Sequence, residues 1–199
     1  MNFQFSDDYT LQNDSVFLRP LIYDDIQYLL PFALNELSLW TYSLQSAAGE
    51  EAMNNYVQNA INSRFNQKEY PFIVFDKKSG HCSGCTCFYD IQPLADTVQL
   101  GFTWYGKDFQ GTGLNKHCKY LLLEFAFEKM EVCRVEFRAD LRNKRSIAAM
   151  KSIGCTEEGI LRSNGYCADG SRRDSIVLSI IKEEWFDHAK ANLFKKLSN

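Results

Sequence analysis

The densest chemical signal is Phe109-Gln110-Gly111-Thr112-Gly113-Leu114-Asn115, which follows a strand-like run ending at Trp104-Tyr105-Gly106 and opens an amphipathic helical run. Glycines let a backbone approach a ligand closely, and free N–H groups at a helix start point at anionic oxygens. The segment can therefore bind phosphate. It has neither the three glycines of a G-x-G-x-x-G loop nor the Gly-Lys-Ser/Thr of a Walker loop. As pattern alone, a tight turn explains the glycines equally well. A second cluster is His81-Cys82-Ser83-Gly84-Cys85-Thr86-Cys87. Zinc wants four ligands, usually as two separated pairs, yet Cys118, Cys133, Cys155 and Cys167 are scattered singly. Cys85, Cys87 and Tyr89 alternate with Thr86 and Phe88 as on a strand, so small strand residues are expected and no metal. His81, His117 and His188 have no converging partner and read as surface or packing residues.

The elements that must hold these residues are legible in the periodicity. Ser15–Leu21 alternates as a first strand, and Asp24-Asp25 precedes Ile26, Leu29 and Leu30 at helical spacing. Gly49-Glu50-Glu51 opens a second helix whose apolar face is Met53, Tyr56, Val57, Ala60 and Ile61. From residue 71 the period becomes that of strands, over 72–75, 85–91 and 97–104. The clearest helix follows, with Leu114, Cys118, Leu121, Leu122, Phe125 and Ala126 on one stripe. Val132–Ala139 reads as a strand and Ser146–Ile153 as a short helix closed by Gly154. Asp169-Gly170 turns a hairpin between 158–167 and 172–181, and Lys182–Leu197 reads as a terminal helix. Helices between late strands imply parallel crossovers, while the hairpins imply antiparallel pairs.

Composition excludes several classes. The 199 residues suit one domain, and a net charge of -3 with 24% charged and 45% hydrophobic residues is that of a globular protein. Seven cysteines without framework spacing fit reduced thiols. Apolar runs such as Tyr120–Leu123 are far shorter than the roughly 20 residues of a membrane helix. With no signal-peptide pattern at Met1-Asn2-Phe3-Gln4-Phe5 and no basic tail, a cytoplasmic protein binding neither membrane nor nucleic acid is expected.

Gln110-x-x-Gly113-x-Asn115 resembles the Gln/Arg-x-x-Gly-x-Gly/Ala acetyl-CoA loop of the GNAT acetyltransferases. The stretch Gln99–Trp185 is similar to the branch containing ribosomal-protein N-terminal acetyltransferases. Leu100-Gly101-Phe102-Thr103-Trp104, Arg134–Arg138, Asn143-x-x-Ser146, Lys151–Cys155, Glu158–Arg162 and Glu183-Glu184-Trp185 match it in order, and Leu18-Arg19-Pro20-Leu21 matches its first strand. The resemblance implies a mixed α/β fold (α+β in its segregation) with a central, mostly antiparallel sheet of six to seven strands. It further implies a splayed parallel strand pair and helices on both faces. One domain would span 1–199, with 182–199 as a helical extension.

The resemblance also assigns roles. Backbone N–H groups of Phe102, Thr103 and Trp104 would hold the thioester end of acetyl-CoA, the co-substrate, on a bulged strand. Those of Gln110, Gly111, Thr112, Gly113, Leu114 and Asn115 would hold its pyrophosphate, and Asn143 its pantetheine or acetyl carbonyl. Ser146 is the candidate acid for the leaving sulfur, with helix capping as its alternative role. Glu136 is the candidate base, with pairing to Arg134 or Arg138 as the alternative; Asp90 is a weaker base candidate. Gln99 stands where relatives carry Glu, Met150 where some carry Tyr, and neither can exchange a proton. Asn115 replaces Gly/Ala and could cap its helix. Trp40, Tyr42 and Tyr89 are aromatic candidates for the acceptor groove, with core packing as the default.

The expected function is acetyl transfer to a primary amine on a peptide or small molecule, by direct attack without a metal. A protein N-terminal α-amine is the acceptor the resemblance points to; polyamines and antibiotics are the small-molecule alternatives. An acyl-CoA-binding module with little catalysis remains open because of Gln99 and Met150, as do monomer and homodimer. Met1–Ser63 holds eight acids and one base, whereas Arg142, Lys144, Arg145 and Lys151 cluster near the expected CoA site. The acidic segment contains the helices that the resemblance sets beside the acceptor groove and would attract a cationic amine there, with solvated charge scattered for solubility as the alternative.

Overall fold

A computed structural model of the chain describes residues 1–197. Ser198 and Asn199, the end of the extension expected over 182–199, lie outside the described residues. The strands are β1 (Leu11–Gln12), β2 (Val16–Pro20), β3 (Glu69–Asp76), β4 (Cys82–Gln92), β5 (Thr97–Tyr105), β6 (Arg134–Asp140), β7 (Thr156–Tyr166) and β8 (Arg172–Ile181). They form one sheet of eight strands in the order β1-β2-β3-β4-β5-β6-β8-β7. The expected seven are present, and the short β1 adds an edge to β2. All pairs are antiparallel except β5 with β6. The β7–β8 hairpin folds back so that β8 lies between β6 and β7.

The helices are α1 (Ile26–Asn35), α2 (Glu50–Phe65), α3 (Leu114–Glu124), α4 (Lys144–Ser152) and α5 (182–195). The stripe of α3 named above is buried throughout, against Phe88, Val98, Leu100 and Val135 of the sheet. The helix runs on into a π turn, Phe125–Lys129, where Phe127 stacks on Trp185 of α5 with ring centroids 5.5 Å apart. The opposite face is covered by α1 and α2 through Leu29, Ala33, Met53, Val57 and Ala60, on Ile73, Cys85 and Trp104. Fully burying a side chain the size of Leu29, Met53 or Ile73 stabilises the fold by about 2 kcal/mol. Both faces of β4 are thereby covered, which explains its unbroken run of buried residues.

An ion pair ties the first helix to the sheet. Arg19 on β2 donates Nη1 and Nη2 to the two carboxylate oxygens of Asp25 at 2.8 and 2.5 Å, and Asp25 Oδ2 also accepts the Ile22 N–H at 2.9 Å. Asp25 is buried, so one of the acids expected to draw in a cationic amine holds the fold together instead.

Candidate functional site

The sheet opens where β5 and β6 part. Their pairing is limited to Thr97–Gln99 with Arg134–Glu136, and beyond Gln99 the two strands separate. The cause lies on the other side of β5. Cys85 pairs with Trp104 and Cys87 with Gly101, so three steps on β5 oppose two on β4. This bulge sits at Phe102, whose φ is +47°, and it swings the end of β5 away from β6. A cleft of about 1540 Å³ runs through the gap.

One end of the cleft is the glycine loop. Gly113 has φ +92°, and a methyl group in place of its hydrogen would meet nothing within 4 Å, so the backbone conformation rather than space calls for glycine there. Gly113 is also the N-cap of α3. Asn115 makes no cap; the Thr112 hydroxyl accepts the Leu114 N–H at 3.4 Å, which corrects the capping role expected of Asn115. Gln110 donates to the Tyr105 carbonyl at 2.7 Å and accepts from Arg145 of α4, tying the loop to β5 and α4. Gln110, Gly111, Gly113 and Asn115 line the cleft together with Lys116, Lys144 and Arg145. Thr112 does not, and the Leu114 side chain is in the core.

The start of α4 forms a second wall. Asn143 is its N-cap, accepting the Ser146 N–H on Oδ1 at 3.1 Å. Capping thus falls to Asn143 and not to Ser146, whose hydroxyl lines the cleft with no protein partner among the described residues. The turn before it is held by Asp140, a buried residue that sequence reasoning missed. Asp140 accepts Arg142 Nε at 2.9 Å, Arg142 Nη2 at 2.7 Å and the Cys167 thiol at 3.2 Å. Hydrogen bonds from Arg142 hold its carboxyl well below the ordinary range, against the effect of burial. Met150 lines the cleft beside Ser146 and brings no donor.

On the face covered by α1 and α2, strand register sets a row of side chains. Glu69 pairs with Tyr89, Tyr89 with Gln99, and Gln99 with Glu136. Glu69, Tyr89 and Gln99 line the cleft; Glu136 does not. The Glu136 carboxylate accepts Arg134 Nη2 at 2.8 Å and Arg138 Nε at 2.7 Å, which supports its ion-pair reading over its role as a base. Asp90, the weaker base candidate, accepts Gln99 Nε2 at 2.6 Å and Gln92 Nε2 at 2.6 Å. That bond fixes the Gln99 amide and leaves its buried Oε1 without a hydrogen bond. An orphaned buried acceptor carries a desolvation penalty. Burial raises the Glu69 carboxyl above its ordinary value, against a hydrogen bond from Ser63 and the charge of Lys68.

The aromatic candidates divide. Trp40 is buried edge-on against Trp104, with centroids 5.0 Å apart, and Trp104 Nε1 donates to Tyr56 at 3.2 Å. Tyr42 is partly exposed, and Tyr89 packs on Phe102 with centroids 4.8 Å apart. All three line the cleft, together with Phe102, Thr103 and Trp104. The acids of Met1–Ser63 do not: the cleft residues drawn from that segment are neutral, which overturns the expected acidic border.

Lys119 of α3 also went unnoticed in the sequence. It is 5% exposed, lines the cleft, and donates to Thr103 at 2.8 Å on the bulged strand. Its Nζ lies 5.8 Å from the ring centroid of Phe137 on β6, so it sits at the base of the gap. Burial lowers its pKa from 10.5 to about 8. Below about 8 the amine is charged in both folded and unfolded chains and carries its burial penalty; between there and 10.5 only the unfolded chain holds the proton. Lys119 therefore adds stability as pH rises through that window. Buried thiols act oppositely: burial pushes Cys82, Cys118 and Cys155 up from 9.0 to about 12, and their contribution fades as pH rises through that range. The difference between wild type and Lys119→Met isolates the lysine. Urea unfolding at about pH 7 and about pH 9.5 should show wild type gaining stability relative to the variant at the higher pH. An unchanged difference would mean that the amine keeps its ordinary pKa.

Residues 15–156 match a family described as the acetyltransferase (GNAT) domain. YdaF of Bacillus subtilis (strain 168), provisionally named a ribosomal N-acetyltransferase, is 30% identical over 106 residues, covering 53% of this chain and 57% of that protein. The chain thus spans rather more than half the length of that curated relative. A solved structure provisionally named an acetyltransferase, from T. thermophilus, is 30% identical with a TM-score of 0.86, covering 96% of this chain and 98% of that one. RimJ of Mycobacterium smegmatis, solved in complex with CoA-disulfide, shares the fold at 18% identity and a TM-score of 0.79, covering 94% of this chain and 93% of its own. Among the described residues no helix is long and apolar enough to cross a membrane, and no group of three or more His, Cys, Asp or Glu could hold a metal ion.

Proposed function

The chain belongs to the GNAT acetyltransferase family, and from that membership we propose that it transfers an acetyl group from acetyl-CoA to a primary amine by direct attack. GNAT enzymes use acyl-CoA. The observation that carries the reading is the gap between β5 and β6, lined on one side by the glycine loop and α4 and on the other by Gln99, Tyr89 and Glu69. These residues fit an acyl-CoA: unpaired backbone on the bulged strand, a helix N-terminus, and three cations for phosphates. Backbone groups of Phe102–Trp104 and of the loop Gln110–Asn115 would hold it, with Asn143 Nδ2 free to donate while Oδ1 caps α4.

When bound, acetyl-CoA supplies the activated thioester carbonyl. Gln99, its amide fixed by Asp90, forms part of the wall beside which the amine attacks. Glu69 receives the proton the ammonium must lose, through water, because its raised pKa brings it toward neutral pH. Ser146 donates to the departing sulfur. The likeness to YdaF supports a protein N-terminal α-amine of ribosomal type as acceptor, and the reaction is assigned to the cytoplasm. A Ser146 hydroxyl without a protein partner among the described residues and a Glu69 carboxyl raised by burial, both on one cleft, support catalysis over CoA binding alone.

The test is release of free thiol from acetyl-CoA with a panel of N-terminal peptides and small amines. Release should require an amine, and Glu69→Gln should lower kcat roughly tenfold, water still carrying part of the proton traffic. Purified protein that binds acetyl-CoA but releases no thiol with any amine would overturn the proposal in favour of a binding module.

A further inference from the structure

The far end of the cleft, past Gln99 toward β8, has a charge imbalance that acetyl transfer does not use. Arg173 on β8 is 7% exposed and lines the cleft. Its Nε donates to the Ser175 hydroxyl at 2.9 Å and its Nη1 to the Tyr42 carbonyl at 3.0 Å. Both partners are neutral, Nη2 is not engaged, and no carboxylate pairs with it among the described residues. Burying a guanidinium without a counter-charge is costly. Arg138 on β6 lines the same end, with Glu136 on its Nε. The cleft's two acids do not compensate: Asp140 is committed to Arg142 and Cys167, and Glu69 lies on β3, beyond β4, β5 and β6 from Arg173. By contrast, Arg142, which also lines the cleft, has its carboxylate in place.

We infer that the acceptor carries a carboxylate or similar oxyanion on the same molecule as its amine, and that Arg173, aided by Arg138, is the subsite that holds it. This rests on the amine-acetylating function proposed above and names the class of acceptor. A guanidinium fork with a free Nη2 suits an oxyanion, and the planar group is already oriented by Ser175 and Tyr42. The amine then lies at Gln99 and the anion toward β8. Two sources share that chemistry: a small amino-acid-like amine, and a peptide with an acidic residue at its N-terminus. Arg173 also fastens the loop bearing Tyr42 to β8, so its removal alone would not separate binding from loop placement.

The decisive comparison therefore uses wild-type protein with matched pairs: β-alanine against β-alaninamide, and the peptide amides Asp-Ala-Ala against Asn-Ala-Ala. The carboxylate member of one pair should show a kcat/KM at least about tenfold higher, and which pair responds identifies the source. In Arg173→Gln the ratio should collapse toward one, while Arg173→Lys, which keeps the charge, should retain part of it. Equal use of both members by wild type, or a preference that survives Arg173→Gln, would overturn the inference. Calorimetric titration of the same pairs into the CoA-saturated protein gives a readout that does not need turnover. Selective carboxylate binding without thiol release would refute the proposed activity and leave the subsite standing; equal binding of both members would refute the subsite.

Discussion

Replacing Ser146 with alanine should lower kcat for acetyl transfer roughly a hundredfold while leaving the KM for acetyl-CoA nearly unchanged. The size follows from what remains at that wall. Met150 has no proton to give, and among the described residues nothing else holds the Ser146 hydroxyl out of the cleft. The selectivity for kcat follows from where the proton is needed: the leaving sulfur gains charge only in the transition state, so its donor contributes little to ground-state binding. Stability should hardly move, because Asn143 and not Ser146 caps α4. Asn143→Ala should do the reverse for folding, losing about 1 kcal/mol of cap energy. Ser146→Thr, which keeps a hydroxyl, should recover part of the rate. If Ser146→Ala turns over at the wild-type rate, the acid lies elsewhere.

Gly84→Ala should destabilise the protein by about 3 kcal/mol or more and abolish measurable acetyl-CoA binding. Gly84 has φ +146°, and a Cβ there would stand 2.1 Å from the Trp104 carbonyl oxygen and 3.0 Å from Tyr105 Cα. Those are backbone atoms of the bulged strand, so no side chain can turn aside to make room. Relief requires moving Trp104 away from β4, which undoes the bulge that parts β5 from β6. The next residue after Tyr105 is also anchored here, through the Gly106 N–H to Ser83 at 3.0 Å. Gly80→Ala is the control: its φ is +74° but nothing lies within 4 Å, so it should cost only about 1 kcal/mol of backbone strain. Urea unfolding of the two variants separates clash from strain, and equal losses would contradict the packing argument.

Gly84 also shows why the cysteine-rich segment is built of small residues. Cys82 and Cys85 pack beneath α1 and α2, and Cys87 is buried with its thiol on a backbone carbonyl. Small residues are what a strand pressed by a bulged neighbour and a helical layer can accommodate. Periodicity alone was enough to find α3, whose buried stripe matches the expected residues. The motif order led to the loop and α4, because those features depend on contiguous residues. Lys119, Glu69 and Arg173 could not be found that way. Lys119 adjoins the apolar stripe of α3 and reads as a solvated helix residue until the gap is known to lie above it. Glu69 opens β3 and reaches the cleft only through the register that sets it beside Tyr89. Arg173 follows the hairpin turn, where charges are ordinarily solvated, but the Tyr42 loop folds over it. The charge division along the chain misled for the same reason: Asp25 and Asp8 are paired with Arg19 and Arg64, and Glu36 accepts the Lys107 N–H. Pairing across the fold, not local composition, decides which charges a substrate meets.

Direct acetyl transfer from acetyl-CoA to an amine held in the gap between β5 and β6 would leave no acetyl group on the protein. Intact-mass analysis of protein and acceptor after a single turnover with isotopically labelled acetyl-CoA distinguishes the two outcomes. The predicted result is one labelled acetyl group on the amine, an equal amount of free CoA, and none on the protein at any time point. Label accumulating on the protein, or remaining on CoA with every amine supplied, would contradict it.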